Sequence, residues 1–200
     1  MAKALIDLVK KNFPDAVLEA HSLSGDDTVV IEARKWKAVH RFLRDAPQAS
    51  MEMLTDLTAV DFPDREPRFE VVSHLYSLSR GHRLRLKARV GDEQGEQVEI
   101  ETLTDLWASA NWLERECWDM FGVRFVGHPD LRRILLYPEF EGHPLRKDYP
   151  ADRIQPLVPY RDVPNVEKLA PFGRDEGMSF GRKTHRRGVD DRSAPNGETD

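Results

Sequence analysis

The sequence predicts an α+β fold: a small mixed β-sheet with packed helices, followed by an extended C-terminal arm. Three observations carry that reading. Stretches with helical spacing of apolar residues are interspersed with β-rich runs over the first hundred residues. One run, "HRLRLKARV" (82–90), alternates strictly between apolar and cationic side chains. From residue 151 the chain holds five prolines, five glycines, nine basic and nine acidic residues with weak apolar periodicity. Such a segment buries too little surface alone to offset the entropy of ordering it. The boundaries expected are an α+β domain over 1–122, an extended docking segment over 123–150 and a tail over 151–200.

Each element follows from local signals. Leu5, Leu8, Val9 and Asn12 mark one side of a short amphipathic helix. "DTVVIEA" (27–33) reads as a strand after the turn signal "SGDD". Trp36, Val39, Phe42 and Leu43 recur at helical spacing, in a helix that must stop before Pro47. "MEMLTDLTAVDF" (51–62) and "FEVVSHLYSL" (69–78) flank a "PDREP" loop, and Arg80-Gly81 marks a hairpin turn into 82–90. On that last strand Leu84, Leu86, Ala88 and Val90 face one way, and Arg83, Arg85, Lys87 and Arg89 the other. The cationic side is expected to be a solvated face that discourages edge pairing, with acidic "EQVEIE" (96–101) alongside. The sharper alternative is a surface for an acidic partner.

Composition excludes several function classes. With 40% hydrophobic residues the chain can build a core, while 32% charged residues and a mean hydropathy of -0.60 imply a polar surface. The net charge of -5 argues against a general nucleic-acid binder. No apolar run approaches the ~20 residues needed to span a bilayer, and no leader-type cleavage signal follows the N-terminal helix, so a soluble, cytosol-facing chain is expected. Cys117 is the single cysteine. It permits no intrachain disulfide and no iron–sulfur cluster held by this chain alone. There is no glycine-rich dinucleotide or phosphate loop and no HExxH.

"ERECWDMFG" (114–122) places four charges among bulky apolar groups. Asn111 and Glu114 resemble a capping box, and Gly122 stands where a left-handed residue would end a helix. Glu114, near the helix start, is expected to cap the backbone. Glu116, between Leu113 and Met120, is expected to be partly buried and paired with Arg132, Arg133, Arg146 or Lys147. Cys117 with His128 or His143 could make a nucleophile, and Glu116 with Asp119 an acid/base pair. However, Cys117 lies on an apolar helix face among carboxylates, which would raise its pKa, and there is no glycine-rich oxyanion loop. Docking fits better. The 123–150 segment has four prolines and isolated apolar clusters, suited to running along a neighbouring protein.

"ERECWDMFGVRFVGHPDLRRIL" followed by "GHPLRKDYP" resembles the signature of the C subunit of respiratory complex I, the proton-pumping NADH-quinone oxidoreductase. The likeness is dense from Ala110 to Pro150. It implies an α+β subunit of the peripheral arm, in its unfused form, with no cofactor of its own. FMN, iron–sulfur clusters and quinone would belong to partner subunits. It would pack against the large D subunit and nearby iron–sulfur subunits, on the cytoplasmic face of the bacterial inner membrane, held there only indirectly. Similar subunits occur in membrane-bound hydrogenases and other complex-I-like dehydrogenases. By position the resemblance assigns Glu114, Arg115, Glu116, Asp119, His128 and Arg132 to the first block, and Gly142, Pro144, Arg146, Lys147 and Asp148 to the second. Cys117 falls at a tolerant position. After Pro150 the family's usual continuation is replaced by "ADRIQPLVPYRD". Readings from other classes are a stand-alone cysteine hydrolase, and a nucleic-acid or anionic-lipid patch at "GRKTHRR" (181–187).

Overall fold

The computed structural model describes residues 2–91 and 98–158. Most of the tail predicted over 151–200, with "GRKTHRR", lies outside the described residues, and so do the first two residues of "EQVEIE".

Helix α1 (Ala2–Asn12) leads into a hairpin of β1 (Val17–Leu23) and β2 (Asp26–Glu32), turned through Gly25 at φ 88°. A single 3-10 turn precedes α2 (Trp36–Asp45). Strands β3 (Met53–Asp61), β4 (Phe69–Ser77) and β5 (His82–Val90) follow as an antiparallel meander. The sheet order is β1-β2-β5-β4-β3, and β2 runs parallel to β5, so the sheet is mixed as expected. Beyond it come β6 (Glu99–Glu101), α3 (Ala110–Phe121) and β7 (Arg124–Val126), with β6 and β7 forming a separate parallel pair. No described helix is long and apolar enough to cross a membrane.

Strand periodicity dictates the layers. Leu84, Leu86, Ala88 and Val90 join Val29, Ile31, Leu54, Leu57, Phe69, Val71 and Leu75 in one buried cluster. The helices close it with Leu5, Val9, Trp36, Val39, Leu43, Ala110 and Cys117. In α1 the buried stripe is Leu5, Ile6 and Val9; Asn12, expected on that side, is exposed and donates its amide to the Leu8 carbonyl.

The cationic face of β5 departs from expectation. β5 is central, between β2 and β4, so its charges do not guard an edge. Their partners come from β4, β1 and β2: Lys87 meets Glu70 at 2.7 Å, Arg89 reaches across β2 to Glu19 at 2.7 Å and Arg85 reaches Asp26 at 3.8 Å. The described part of "EQVEIE" pairs with β7 instead. A charge row interleaved with acids on both sides is locally neutralised, which suits a solvated face better than an acid-binding surface.

Residues up to Val158 form one compact unit. The core does not end at Gly122: Val123 and Phe125 are buried in it. From 127 to 158 the chain contains turns but no helix or strand.

Candidate docking site at the end of α3

Helix α3 begins without the expected cap. Its first flanking residue is Ser109, which makes no side-chain capping bond; its hydroxyl donates to the Leu54 carbonyl on β3. Asn111 lies inside the helix and offers its carbonyl to His128 Nε2 at 3.2 Å. The other end matches expectation, with Gly122 left-handed at φ 78° and its N–H bonded to the Trp118 carbonyl. A Cβ here would also come within 2.6 Å of both the Arg146 guanidinium and the His143 ring.

The last carbonyls of a helix have no intrahelical donor. Here the chain downstream supplies them. His143 Nδ1–H donates to the Asp119 carbonyl at 3.0 Å, the Leu145 amide to that of Met120 at 3.1 Å, and Arg146 Nε to that of Phe121 at 2.6 Å. Two cations, Arg133 and Arg146, stand at the negative end of the helix dipole. The second signature block therefore terminates the helix built by the first.

Asp119 is the hub. Its buried carboxylate accepts Arg133 Nη1 at 2.7 Å on one oxygen, and the amides of Ile134, Leu135 and Leu136 at 3.0, 2.9 and 2.9 Å on the other. Burial alone would push this carboxyl up. The three amides and the guanidinium outweigh burial and hold it below the usual carboxylate range. Arg133 Nη2 donates to the carbonyls of Phe140 and Gly142, and the guanidinium lies near the Trp118 and Phe140 rings.

A second anchor ties the segment to the sheet. Asp61, at the end of β3, takes a two-pronged contact from Arg68 at 2.6 and 2.7 Å and the Lys147 amide at 2.7 Å. Arg68 continues to Asp148 at 3.0 Å. Burial opposes ionisation of Asp61, but Arg68 and the Lys147 amide prevail and lower its pKa.

Neither glutamate takes its expected role. Glu116 is exposed and pairs with no cation among the described residues. Glu114 is fully buried, where it accepts the Thr102 hydroxyl at 2.5 Å and the Leu103 amide at 2.6 Å. It caps the turn after β6 rather than its own helix. The reason is rotational: α3 turns the Glu114–Cys117 stripe toward β3 and the 102–107 turn, and Glu116 lies about 100° away from Cys117. Burial pushes the Glu114 carboxyl up to about 7, against the two hydrogen bonds that favour its ionised form. Its share of stability is therefore complete below about pH 4.5 and lost as pH rises through about 7. Buried His40, held down to about 4, contributes the opposite slope. The clean comparison is Glu114→Gln: its stability relative to the wild type should rise by roughly 2–3 kcal/mol between pH 5 and 8, read by urea unfolding.

Of the other assigned residues, Arg115 donates to the carbonyls of Arg132 and Arg133 at 3.1 and 3.2 Å. The His128 ring lies 4.0 Å from Glu114. Arg132 is exposed, and its side chain pairs with Asp130 at 3.0 Å. Gly142 sits at φ 91°, where a Cβ would press on Tyr149 at 2.9 Å. Pro144 is half-buried, and Lys147 contributes its backbone while its side chain is exposed. Asp61 and Arg68 complete the site without being legible as part of it in the sequence, while Arg133 and His143, which the sequence offered as partners of Glu116 and Cys117, meet Asp119 instead. Arg133 adjoins the assigned Arg132, so only its orientation is new. No local signal links Asp61 or Arg68 to the segment eighty residues on.

Nucleophilic chemistry finds no support. Cys117 is buried, and burial followed by Glu114 and Glu116 pushes its thiol well above 9. Cys117→Ala should cost ~1–2 kcal/mol in denaturant unfolding, and the native thiol should resist alkylation at neutral pH. A Ser73–His40 pair at 2.8 Å exists, but both residues are fully buried in the core.

A family model described as respiratory-chain NADH dehydrogenase, 30 Kd subunit, matches residues 29–155. The chain belongs to this family. Both signature blocks lie inside the match. The chain is 40% identical to a C-type subunit (numbered 2) of the NADH-quinone oxidoreductase of Rhizobium etli, over 84% of this chain and 81% of that one. It is 43% identical to the C subunit of the Hyphomonas neptunium NADH-quinone oxidoreductase, over 88% and 93%. Among solved structures, the trypsin-resistant Nqo5 fragment aligns with a TM-score of 0.53 at 30% identity, covering 64% of this chain and 98% of the fragment. A chain of the membrane-bound sulfane sulfur reductase, an archaeal respiratory membrane complex, aligns with a TM-score of 0.62 at 25% identity, over 74% and 85%. The family match begins within β2 and takes in β3, β4, β5, α3 and the folded-back segment as far as residue 155.

Proposed function

We propose that this chain is a peripheral-arm subunit of an NADH-quinone oxidoreductase, supporting electron transfer from NADH to quinone, coupled to proton translocation, without a redox centre of its own. Family membership carries the reading, and the site supplies its physical sense. Nearly every charge in the two signature blocks with a buried partner holds the 127–150 segment in place. That presents Leu135 and Leu145, 62% and 49% exposed, as docking surface, to which Trp112 of α3, 67% exposed, adds a further apolar group. Apolar groups held outward on a fixed backbone lose little entropy when a partner covers them. The partners proposed are the D subunit and adjacent iron–sulfur subunits, with FMN, clusters and quinone held by partner subunits of the complex. Membrane association is then indirect, at the cytoplasmic face of the inner membrane.

A second reading, the equivalent subunit of a related respiratory complex, draws on the likeness to the sulfane sulfur reductase chain. Purification of the tagged chain from its native membranes distinguishes them by what accompanies it: NADH-oxidising subunits for the first, a hydrogenase-like set without them for the second. The isolated chain should be colourless, free of iron and flavin, and unable to oxidise NADH. Stoichiometric iron or flavin would overturn the proposal.

A further inference from the structure

Among the described residues no lysine or arginine contacts the buried Glu114 carboxyl, and the His128 ring lies 4.0 Å away. Thr102 Oγ1 lies 2.5 Å from Glu114 Oε2 and 3.0 Å from Thr104 Oγ1, and it also accepts the Thr104 amide at 3.2 Å. Thr102 and Glu114 are buried, whereas Thr104 is half-exposed. The three oxygens link the interior to the surface.

A hydroxyl has one donor and two lone pairs. With Glu114 ionised, Thr102 donates to it, and accepts from the Thr104 amide and the Thr104 hydroxyl. With Glu114 protonated, Glu114 donates to Thr102, which keeps the amide and turns its own proton to Thr104. Every hydrogen-bonding valence of Thr102 is filled in both arrangements. A buried polar group satisfied in two states can exchange between them without an orphaned donor or acceptor.

We propose that Glu114, Thr102 and Thr104 form a proton-exchange site, in which a proton from the solvent reaches the buried carboxyl through the two hydroxyls. A hydronium ion in the solvent gives a proton to Thr104 Oγ1 and becomes water, Thr104 passes its own to Thr102 Oγ1, and Thr102 passes its own to Glu114. Each hydroxyl ends neutral and reversed, and the net change is hydronium plus carboxylate to water plus carboxylic acid.

The surrounding charges leave the carboxyl free to take either form. Lys37 of α2 is paired at 2.8 Å with Asp105 of the 102–107 turn, so neither acts alone on Glu114. From the turn after β7, His128 Nδ1 accepts the Asp130 amide at 3.0 Å, which places the ring proton on Nε2, toward the Asn111 carbonyl. One turn further along α3, Cys117 is a buried thiol. The proton state of Glu114 thus sets the hydrogen-bond direction in the turn that joins β6 to α3.

The test is carboxyl-carbon NMR of the full-length chain labelled at glutamate, titrated from pH 5 to 9, with Glu114→Gln assigning the resonance. One glutamate should titrate near neutrality. Thr102→Val removes the donor to the ionised form and should raise the midpoint. Thr104→Val removes the acceptor that completes the protonated form and should lower it, each by about half a unit or more. Opposite shifts support the relay. Equal or absent shifts, or a Glu114 resonance that titrates with the exposed glutamates, overturn it. Should Glu114→Gln fail to fold, the opposite shifts in the two threonine variants remain diagnostic.

Discussion

Asp119→Ala should destabilise the chain by ~3–5 kcal/mol and release the segment that follows β7. The carboxylate is buried, holds Arg133 at 2.7 Å and gathers three consecutive amides. Its removal leaves a guanidinium that is 13% exposed without its counter-charge, and breaking one side of a buried pair costs in that range. Two measurements check it: urea unfolding, and limited proteolysis within 130–150, which should become faster. Glu116→Ala, at an exposed position, should stay within about 0.5 kcal/mol of the wild type. Adding Arg133→Ala to Asp119→Ala should cost less than the sum of the two single changes, because the stranded charge is then gone. Full additivity would mean the pair does not act as a unit.

Asp61→Ala should cost ~3 kcal/mol, somewhat less than Asp119→Ala because Arg68 retains Asp148. Its particular mark is distance: a change on β3 should loosen residues 143–150, since the Lys147 amide loses its acceptor at 2.7 Å. Hydrogen exchange at Lys147 should therefore accelerate more than at the centre of β4. Asp61 ionises more readily than an ordinary aspartate, so its contribution is present above the unfolded pKa of about 3.8 and fades as pH falls below it. Asp61→Asn, lacking the charge, should lose most of that dependence. If amide exchange at Lys147 is unchanged in Asp61→Ala, the anchor is not at Asp61.

In a tagged strain both variants should also reduce the amount of assembled complex, through the docking surface rather than through chemistry. Activity per assembled complex should stay near that of the wild type on native gels.

By itself the sequence determined the α+β class, the three strands between Met53 and Val90 with the hairpin turn at Arg80-Gly81, and the helix ended by Gly122. Alternation and helical spacing are local, and one face of each element had to be buried. It also pointed to the inertness of Cys117, because an apolar neighbourhood and nearby carboxylates act on a thiol wherever the helix is placed. Strand β1 is not legible in the same way, since Val17–Leu23 is an exposed edge with no alternation to read. What only the tertiary structure decided was which charges are buried. Glu114 and Glu116 lie two residues apart on one helix, and the rotation of α3 against β3 is set by contacts with residues 54–107 that no local pattern contains. Likewise Asp61 meets Lys147 and Arg68 meets Asp148 across about eighty residues. A pair of opposite charges gains its strength from desolvation, and desolvation exists only once the chain has folded around it.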